Sequence, residues 1–241
     1  MKPVIGITCP WSFETWGPGE QGRSYDYAGR DYSAAIYRAG GIPLLIPAIA
    51  EEADLEAHAK RLLQTVDGLY FSGGGDRRGT RNVQEIPTLY NQQPTRSQWE
   101  DTLLKLAYEQ DIPCFGVCRG YQMMAVAFGG AMDTHRLPEH KQTIPAHLGI
   151  HHVQPASLLA EFVGSEPWFV NSLHVERVRD VPEGFVVAAK AEDGSIEAIA
   201  AAGKRFFLGT QFHPELMPEN PRSQAIFRGF IAAAAALRQS I

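Results

Sequence analysis

The stretch IPCFGVCRGYQMMAVAFGG, residues 112–130, sets the expectation for the whole chain. Its apolar start predicts a short strand over 112–117, and its later periodicity predicts a helix over 119–129, with Cys118 at the sharp turn between them. Gly116 and Gly120 flank that cysteine where a tight turn and close approach of a substrate require residues without a side chain. A helix N-terminus beside the sulfur favours the thiolate. The pattern therefore predicts a nucleophilic cysteine, in preference to a buried cysteine that only fills space.

Short apolar runs alternate with helical periodicity through the first half of the chain. This alternation predicts an α/β fold, with a three-layer, mostly parallel, flavodoxin-like sheet and helices on both faces. The second half carries closely spaced strands with tight turns, which predict antiparallel additions to the sheet, and a final helix. We expect a single domain over 1–241. The predicted strands are 3–8, 43–47, 67–72, 112–117, 169–171, 175–178, 185–189, 195–200 and 205–211, and the predicted helices are 30–39, 52–65, 97–110, 119–129 and 221–238.

Two stretches, 10–27 and 76–95, show no regular pattern. Loops of this length are uncommon in compact domains unless they serve a site, so the second stretch, which follows a glycine run, is expected to form part of the rim of an active site. Its arginines could attract an acidic substrate, although a solvated cationic loop explains them equally well.

Composition narrows the range of functions. The chain has 241 residues, a net charge of −5 and 44% hydrophobic residues, with no basic block, so a small-molecule substrate is expected and a nucleic-acid or anionic-membrane surface is not. No apolar run reaches the roughly 18 residues of a membrane span, and the N-terminus lacks the apolar core of a signal peptide. Three cysteines are too few for a disulfide framework, and Cys9 and Cys114 lie in apolar runs typical of the core. We therefore expect a cytoplasmic protein, with a homodimer as the default assembly.

A nucleophilic thiolate needs a partner that moves protons, and His213 is the strongest candidate. It follows a predicted strand, at the sheet edge where the cysteine turn is expected. Histidine near its ordinary pKa can act as base and as acid, and Glu215, two residues on, could fix its tautomer and stabilise the imidazolium. Because Pro214 forces a turn, the contact between His213 and Glu215 is an inference.

Acyl transfer also needs hydrogen-bond donors for the oxyanion of the tetrahedral intermediate. The backbone N–H of Arg119, directly after the nucleophile, is one candidate. The glycine run 73–75 offers another, because glycine lets the backbone approach a ligand closely.

The remaining histidines raise the question of a metal. Their spacings match no zinc motif and no cysteine accompanies them, so we expect no metal and no cofactor. The histidines that raise it most are His135, His140, His147 and the pair His151 and His152.

Together, these residues resemble the class I glutamine amidotransferase-like superfamily, and within it the γ-glutamyl-γ-aminobutyrate hydrolase branch, peptidase family C26. The similarity extends over nearly the whole chain and rests on motifs in a fixed order. These are Arg30-Asp31-Tyr32 followed by 39–47 (AGGIPLLIP), 72–76 (SGGGD), 118–122 (CRGYQ), 170–174 (VNSLH), 193–198 (DGSIEA) and 209–215 (GTQFHPE).

The resemblance implies a catalytic triad of Cys118, His213 and Glu215, with the N–H groups of Gly73 and Arg119 as the oxyanion hole. It also implies that a glutamyl group is held by Gln122, one helical turn past the nucleophile, with help from Ser172, Leu173 and His174. The implied reaction is hydrolysis of a γ-glutamyl amide to glutamate and an amine through a thioester, as in amine or polyamine catabolism.

Two departures from the branch pattern affect this expectation. Val175 and Glu176 replace a histidine and a glutamine, and the usual Arg-Asp-x-x-Glu pattern before the cysteine keeps only its ends, Arg96 and Glu100. The departures leave the triad intact but put the leaving-group amine in question. Two rival functions stay open at this point, a glutaminase subunit that supplies ammonia to a separate synthetase and a non-catalytic binding protein on the same scaffold.

Overall fold

A computed structural model describes residues 1–14, 21–48, 54–74, 93–133 and 137–239. Its helices are α1 (Arg30–Arg38), α2 (Leu55–Leu63), α3 (Pro94–Glu109), α4 (Arg119–Ala127), α5 (Ser157–Val163) and α6 (Pro221–Gln239). Its strands are β1 (Val4–Thr8), β2 (Trp11–Glu14), β3 (Arg23–Asp26), β4 (Ile42–Ile46), β5 (Gly68–Phe71), β6 (Cys114–Val117), β7 (Ala131–Met132), β8 (His151–Pro155), β9 (Trp168–Val170), β10 (Val178–Asp180), β11 (Phe185–Ala191), β12 (Ile196–Ala201) and β13 (Phe207–Thr210).

Nine of the described strands form one mixed sheet in the order β4-β1-β5-β6-β13-β12-β11-β8-β9. The first five are mutually parallel, and the strands from β12 outward pair antiparallel. The prediction of a mostly parallel sheet with antiparallel additions from the second half of the chain is confirmed.

Two apolar cores cover the faces of the sheet. On one face α1, α5 and α6 pack against side chains such as Tyr70 and Phe115, and on the other α2, α3 and α4 pack against side chains such as Leu69 and Phe71. Leu69, Tyr70 and Phe71 alternate between the two cores because successive side chains of a strand point to opposite faces. The predicted layers of helices on both faces are therefore confirmed.

Several local predictions were wrong or incomplete. The predicted strand over 175–178 begins only at Val178 and pairs with β7 outside the main sheet, and the irregular stretch 10–27 contains the antiparallel pair β2 and β3. Strand β8 and helix α5 were not predicted. Helix α3 begins at Pro94, inside the second stretch expected to be a loop, while 75–92 and the start of the helix predicted at 52 lie outside the described residues.

The sheet order determines where a site can form. Strand β6 lies at the centre, between its parallel neighbours β5 and β13, so the segments that follow these three strands meet at one edge. The segment after β5 begins with Ser72, the segment after β6 with Cys118 and the segment after β13 with Gln211.

Within the described residues, no helix is long and apolar enough to cross a bilayer.

Candidate active site

Cys118 lies at a strained turn between β6 and α4. Its backbone has φ 52° and ψ −106°, a conformation that costs a non-glycine residue about 1–3 kcal/mol. The turn is held by a hydrogen bond from the Cys118 N–H to the Thr210 carbonyl (2.8 Å), and the Cys118 carbonyl accepts the Gln122 N–H (3.0 Å). The side chain is half-buried. The fold thus holds the sulfur at the strand-to-helix turn that the sequence predicts.

The two glycines that flank the cysteine are required by close packing. A Cβ on Gly120 would lie 2.0 Å from the Phe71 carbonyl oxygen, and a Cβ on Gly116 would lie 2.8 Å from the backbone of Gly120. Helix α4 therefore starts in contact with the backbone of β5 and β6. Any larger residue at either position would push the helix, and Cys118 with it, away from the sheet.

His213 and Glu215 form a buried pair at the end of β13. Pro214–Leu216 is a short 3₁₀ helix, and this turn brings the Glu215 Oε1 to 2.6 Å from the His213 Nδ1. Burial lowers the pKa of His213, but the negative charges of Glu215 and Cys118 and the hydrogen bonds to both residues outweigh burial and raise the pKa to about 10. The imidazolium form is thus stabilised near the sulfur, with Glu215 fixing the ring through Nδ1.

Gly73 lies among the groups expected to carry the chemistry. A Cβ placed on it would be 2.7 Å from the Tyr32 hydroxyl, 3.2 Å from the Cys118 Cβ and 3.2 Å from the His213 Cε1. Its N–H, expected to be an oxyanion donor, donates to the Tyr32 hydroxyl oxygen (2.9 Å). The Arg119 N–H is the first of α4, and first-turn N–H groups have no partner within their own helix.

Asn171, which sequence reasoning did not single out as a site residue, positions His213. Its Oδ1 accepts the His213 N–H and its Nδ2 donates to the His213 carbonyl, both at 2.8 Å. The amide thereby pairs with the His213 peptide as a neighbouring strand would. Its place at the end of a predicted strand, in the Val170–His174 motif, was the available signal.

Arg96 and Glu100 are the two residues that this chain keeps from the Arg-Asp-x-x-Glu pattern. They form a buried network with Arg119. Glu100 accepts from the Arg96 Nε (2.8 Å) and from the Arg119 Nη1, and the Arg96 guanidinium also donates to the carbonyls of Ser72 (2.6 Å) and Gly74 (2.8 Å). Burial raises the pKa of Glu100, but the charges of the two arginines hold it below its usual range. The network directs the carbonyls of 72 and 74 toward Arg96, and so fixes the loop that carries Gly73.

A cleft of about 330 Å³ opens beside these groups. Of the predicted substrate contacts, Gln122, Leu173 and His174 line it, whereas Ser172 is fully buried and lies outside its lining. The described residues that line the cleft are Gly74, Cys118, Arg119, Gln122, Lys141, Leu173, His174, Val175, Glu176 and His213.

The lining residues constrain how a substrate can be held. The Gln122 Nε2 donates to the Glu176 carbonyl (3.1 Å) and to the Gln211 Oε1 (3.0 Å), so its carbonyl oxygen is the atom suited to accept from an amine. Val175 and Glu176, where the chain departs from the branch pattern, are part of the wall, as is Lys141, which sequence reasoning missed.

Comparison with known proteins agrees with this fold. The family model for peptidase C26 matches residues 3–215, so the chain belongs to the peptidase C26 family and is a glutamine-amidotransferase-like amide hydrolase.

The γ-glutamyl-γ-aminobutyrate hydrolase PuuD of Escherichia coli K12 is 34% identical, over 84% of this chain and 84% of its own length. The protein NtpR of Enterococcus hirae is 28% identical, over 96% of this chain and 99% of its own. Among solved structures, a Thermoplasma acidophilum protein assigned to GMP synthase superposes with a TM-score of 0.64 at 18% identity, covering 100% of this chain and 98% of that one, which supports the fold.

Proposed function

We propose that the protein hydrolyses the amide bond of a γ-glutamyl amine, with Cys118 as nucleophile, His213 as acid and base, and Glu215 as the group that orients His213. The observation that carries the proposal is the convergence of Cys118 and His213 on Gly73 at one sheet edge, with His213 held through Nδ1 by Glu215. A cysteine and a histidine with a third orienting group form the arrangement that activates a nucleophile for acyl transfer.

In the first half of the reaction, the Cys118 thiolate attacks the γ-carbonyl carbon and the carbonyl oxygen becomes an oxyanion. We assign the Arg119 N–H and the paired Gly73 N–H and Tyr32 hydroxyl as the donors to the developing charge. When the C–N bond breaks, His213 gives its proton to the departing amine, and a γ-glutamyl thioester on Cys118 remains.

In the second half, neutral His213 takes a proton from water, the resulting hydroxide attacks the thioester, and glutamate and the Cys118 thiolate are released. The negative charge of Cys118 is absent while the sulfur is acylated. One of the causes of the raised pKa of His213 is therefore removed at the stage when the ring must act as a base.

The composition of the cleft supports a substrate with a negatively charged end. Lys141 contributes the ammonium group of the lining, and Gln122 offers a carbonyl oxygen for an α-amino group. A γ-glutamyl-γ-aminobutyrate substrate, which the name of the E. coli relative indicates for that protein, carries a carboxylate at both ends. The rival function of a glutaminase subunit is not favoured, because relatives that match 84% of the chain are named γ-glutamyl-γ-aminobutyrate hydrolases.

The test is glutamate release from a panel of γ-glutamyl compounds, including γ-glutamyl-γ-aminobutyrate and glutamine, by the purified protein alone. Wild-type protein and a Cys9→Ala control, whose replaced thiol is buried and bonded to the Ile7 carbonyl, should both turn over a γ-glutamyl amine, and Cys118→Ala should release no glutamate. Turnover by Cys118→Ala, or hydrolysis of glutamine only after a second protein is added, would contradict the proposal.

A further inference from the structure

A cluster of three histidines surrounds the buried carboxylate of Glu197, outside the groups used in the proposed reaction. His140 ends a 3₁₀ helix (Pro138–His140), His151 begins β8, His174 follows β9, and Glu197 lies on β12 with no exposed surface. The fold thus brings together side chains that are far apart in sequence. Their spacing along the chain, which led us to expect no metal, carried no sign of this.

Three donor atoms of the cluster form a nearly equilateral triangle. The His140 Nδ1 and the His174 Nε2 are 3.4 Å apart, and each is 3.6 Å from the Glu197 Oε1. Ligand atoms about 2.0–2.1 Å from a tetrahedral zinc ion lie about 3.3–3.4 Å from one another. These edges are too long for hydrogen bonds of ordinary strength but suit three ligands of one ion.

The outer nitrogens of two of these rings already have partners. The His174 Nδ1 lies 3.0 Å from the Glu176 carbonyl, which can only accept, and the His140 Nε2 lies 3.1 Å from the Asp193 Oδ2. In the neutral rings the hydrogen therefore resides on the outer nitrogen, and the inner nitrogen directs a lone pair toward Glu197. Such a histidine, fixed by an outer carboxylate or carbonyl, is the usual arrangement at a metal centre.

The centre of the cluster contains buried polar atoms without hydrogen-bond partners. Both Glu197 oxygens and the His151 Nε2 are buried without a hydrogen-bond partner among the described residues. His151 Nε2 is 3.8 Å from the Glu197 Oε2, and His140, His151 and Glu197 can bring their ligand atoms within 4.8 Å of one another. Lone pairs facing a buried carboxylate repel it unless a ring proton or a metal cation lies between them.

We propose that this cluster is a binding site for a divalent transition-metal ion of the zinc type. His140 Nδ1, His174 Nε2 and Glu197 Oε1 are the three primary ligands, and His151 Nε2 is the fourth candidate. Three imidazoles and one carboxylate form a donor set that suits zinc and disfavours magnesium and calcium.

The site is separate from the nucleophile but adjoins the cleft, because His174 lines both. A bound ion would join β8, β12 and the segment after β9, and would hold the wall of the cleft that also contains Val175 and Glu176. His174 would then act as a ligand, and its predicted role as a substrate contact would pass to its neighbours. The inference does not depend on the hydrolase proposal.

The test is zinc binding by tag-free, metal-stripped protein, measured by equilibrium dialysis with elemental analysis. All measurements use a Cys118→Ala background, because a thiolate beside a histidine could itself bind zinc. We expect one zinc per chain in this background and in a His152→Ala control, which removes the half-exposed neighbour of His151. His140→Ala should lose the bound zinc. Asp193→Asn, which changes the carboxylate that holds the outer nitrogen of His140 and also accepts from Ser195, should raise the Kd about 10–100-fold.

Loading with Co²⁺ gives a second readout, because a four-coordinate site produces intense visible absorption. Absence of saturable zinc or cobalt binding in folded background protein would overturn the proposal and would indicate a protonated histidine network instead. The proposal would also be overturned if His140→Ala kept one equivalent of bound zinc, or if His152→Ala lost as much bound zinc as His140→Ala. If His140→Ala does not fold, Asp193→Asn decides the question, since Asp193 is part-exposed and an unchanged Kd there would count against the site.

Discussion

Replacing Glu215 by glutamine should remove most of the stabilisation of the His213 imidazolium. The pKa of His213 is raised from its ordinary 6.5 to about 10, and this difference corresponds to about 5 kcal/mol of preference for the charged ring. Two unit charges at the 2.6 Å separation of Nδ1 and Oε1 interact by about 6 kcal/mol at an effective dielectric constant near 20. At 1.36 kcal/mol per pKa unit, this lost attraction exceeds 3 units, and burial, which opposes the charged ring, remains. Loss of Glu215 should therefore lower the pKa of His213 by at least about 3 units, to about 7 or below.

The assay is a histidine NMR titration of wild type and Glu215→Gln, with the His213 signal assigned by its loss in His213→Ala. Near pH 8 the ring should be protonated in wild type and neutral in Glu215→Gln, and turnover should fall with it. Glu219→Gln, which changes a carboxylate four residues on, is the matched control and should leave the titration unchanged. A His213 that still titrates near 10 in Glu215→Gln would refute the assigned role of the carboxylate.

The same raised pKa has a consequence for stability. A group whose pKa is higher in the folded than in the unfolded state stabilises the fold fully below its unfolded pKa and loses that contribution as the pH rises through its folded pKa. The free energy of unfolding of wild type should therefore decline between about pH 6.5 and 10. The decline over the same pH range should be smaller in Glu215→Gln. Denaturant titration at several pH values measures it.

Three further substitutions test the supports of the site. Asn171→Ala removes both hydrogen bonds to the His213 peptide, so we expect kcat/KM to fall about 10–100-fold through misplacement of the ring. Arg96→Lys cannot hold Glu100 and the 72–74 carbonyls at once, so unfolding by denaturant should show a loss of about 3 kcal/mol. Tyr32→Phe removes the hydroxyl paired with the Gly73 N–H, so kcat should fall about 10–100-fold with little change in KM.

Each of these three predictions has a clear contrary outcome. Wild-type kcat/KM in Asn171→Ala would show that the 3₁₀ turn alone positions the histidine. Unchanged stability in Arg96→Lys would show that one hydrogen bond to Glu100 suffices for the buried network. A faster Tyr32→Phe enzyme would show that the hydroxyl obstructs the Gly73 donor instead of assisting it.

The features that sequence predicts best here are those in which one local pattern has one physical solution. The glycines around Cys118 require a tight strand-to-helix turn, and the structure shows the backbone contacts that forbid a side chain at either position. The alternation of apolar runs and helical periods likewise fixes a parallel sheet, because parallel strands need crossover helices. The meeting of His213 and Glu215 follows from the turn that Pro214 begins.

The features that sequence could not predict depend on contacts between distant segments. Asn171 is an ordinary polar residue until the fold places it against the His213 peptide, 42 positions later. The glycine N–H expected to serve the oxyanion directly is paired with Tyr32, 41 positions earlier. The histidines near Glu197 have no recognisable spacing because four separate segments carry the cluster.

The most direct test of the central claim is detection of the acyl-enzyme. Wild-type protein is mixed with γ-glutamyl-γ-aminobutyrate, quenched in acid within the first turnover, digested and analysed by mass spectrometry. The account predicts one glutamyl group, removable by hydroxylamine, on the peptide that contains Cys118, and no adduct in Cys118→Ala. Glutamate release with no adduct at any time, or with the glutamyl group on another residue, would contradict it.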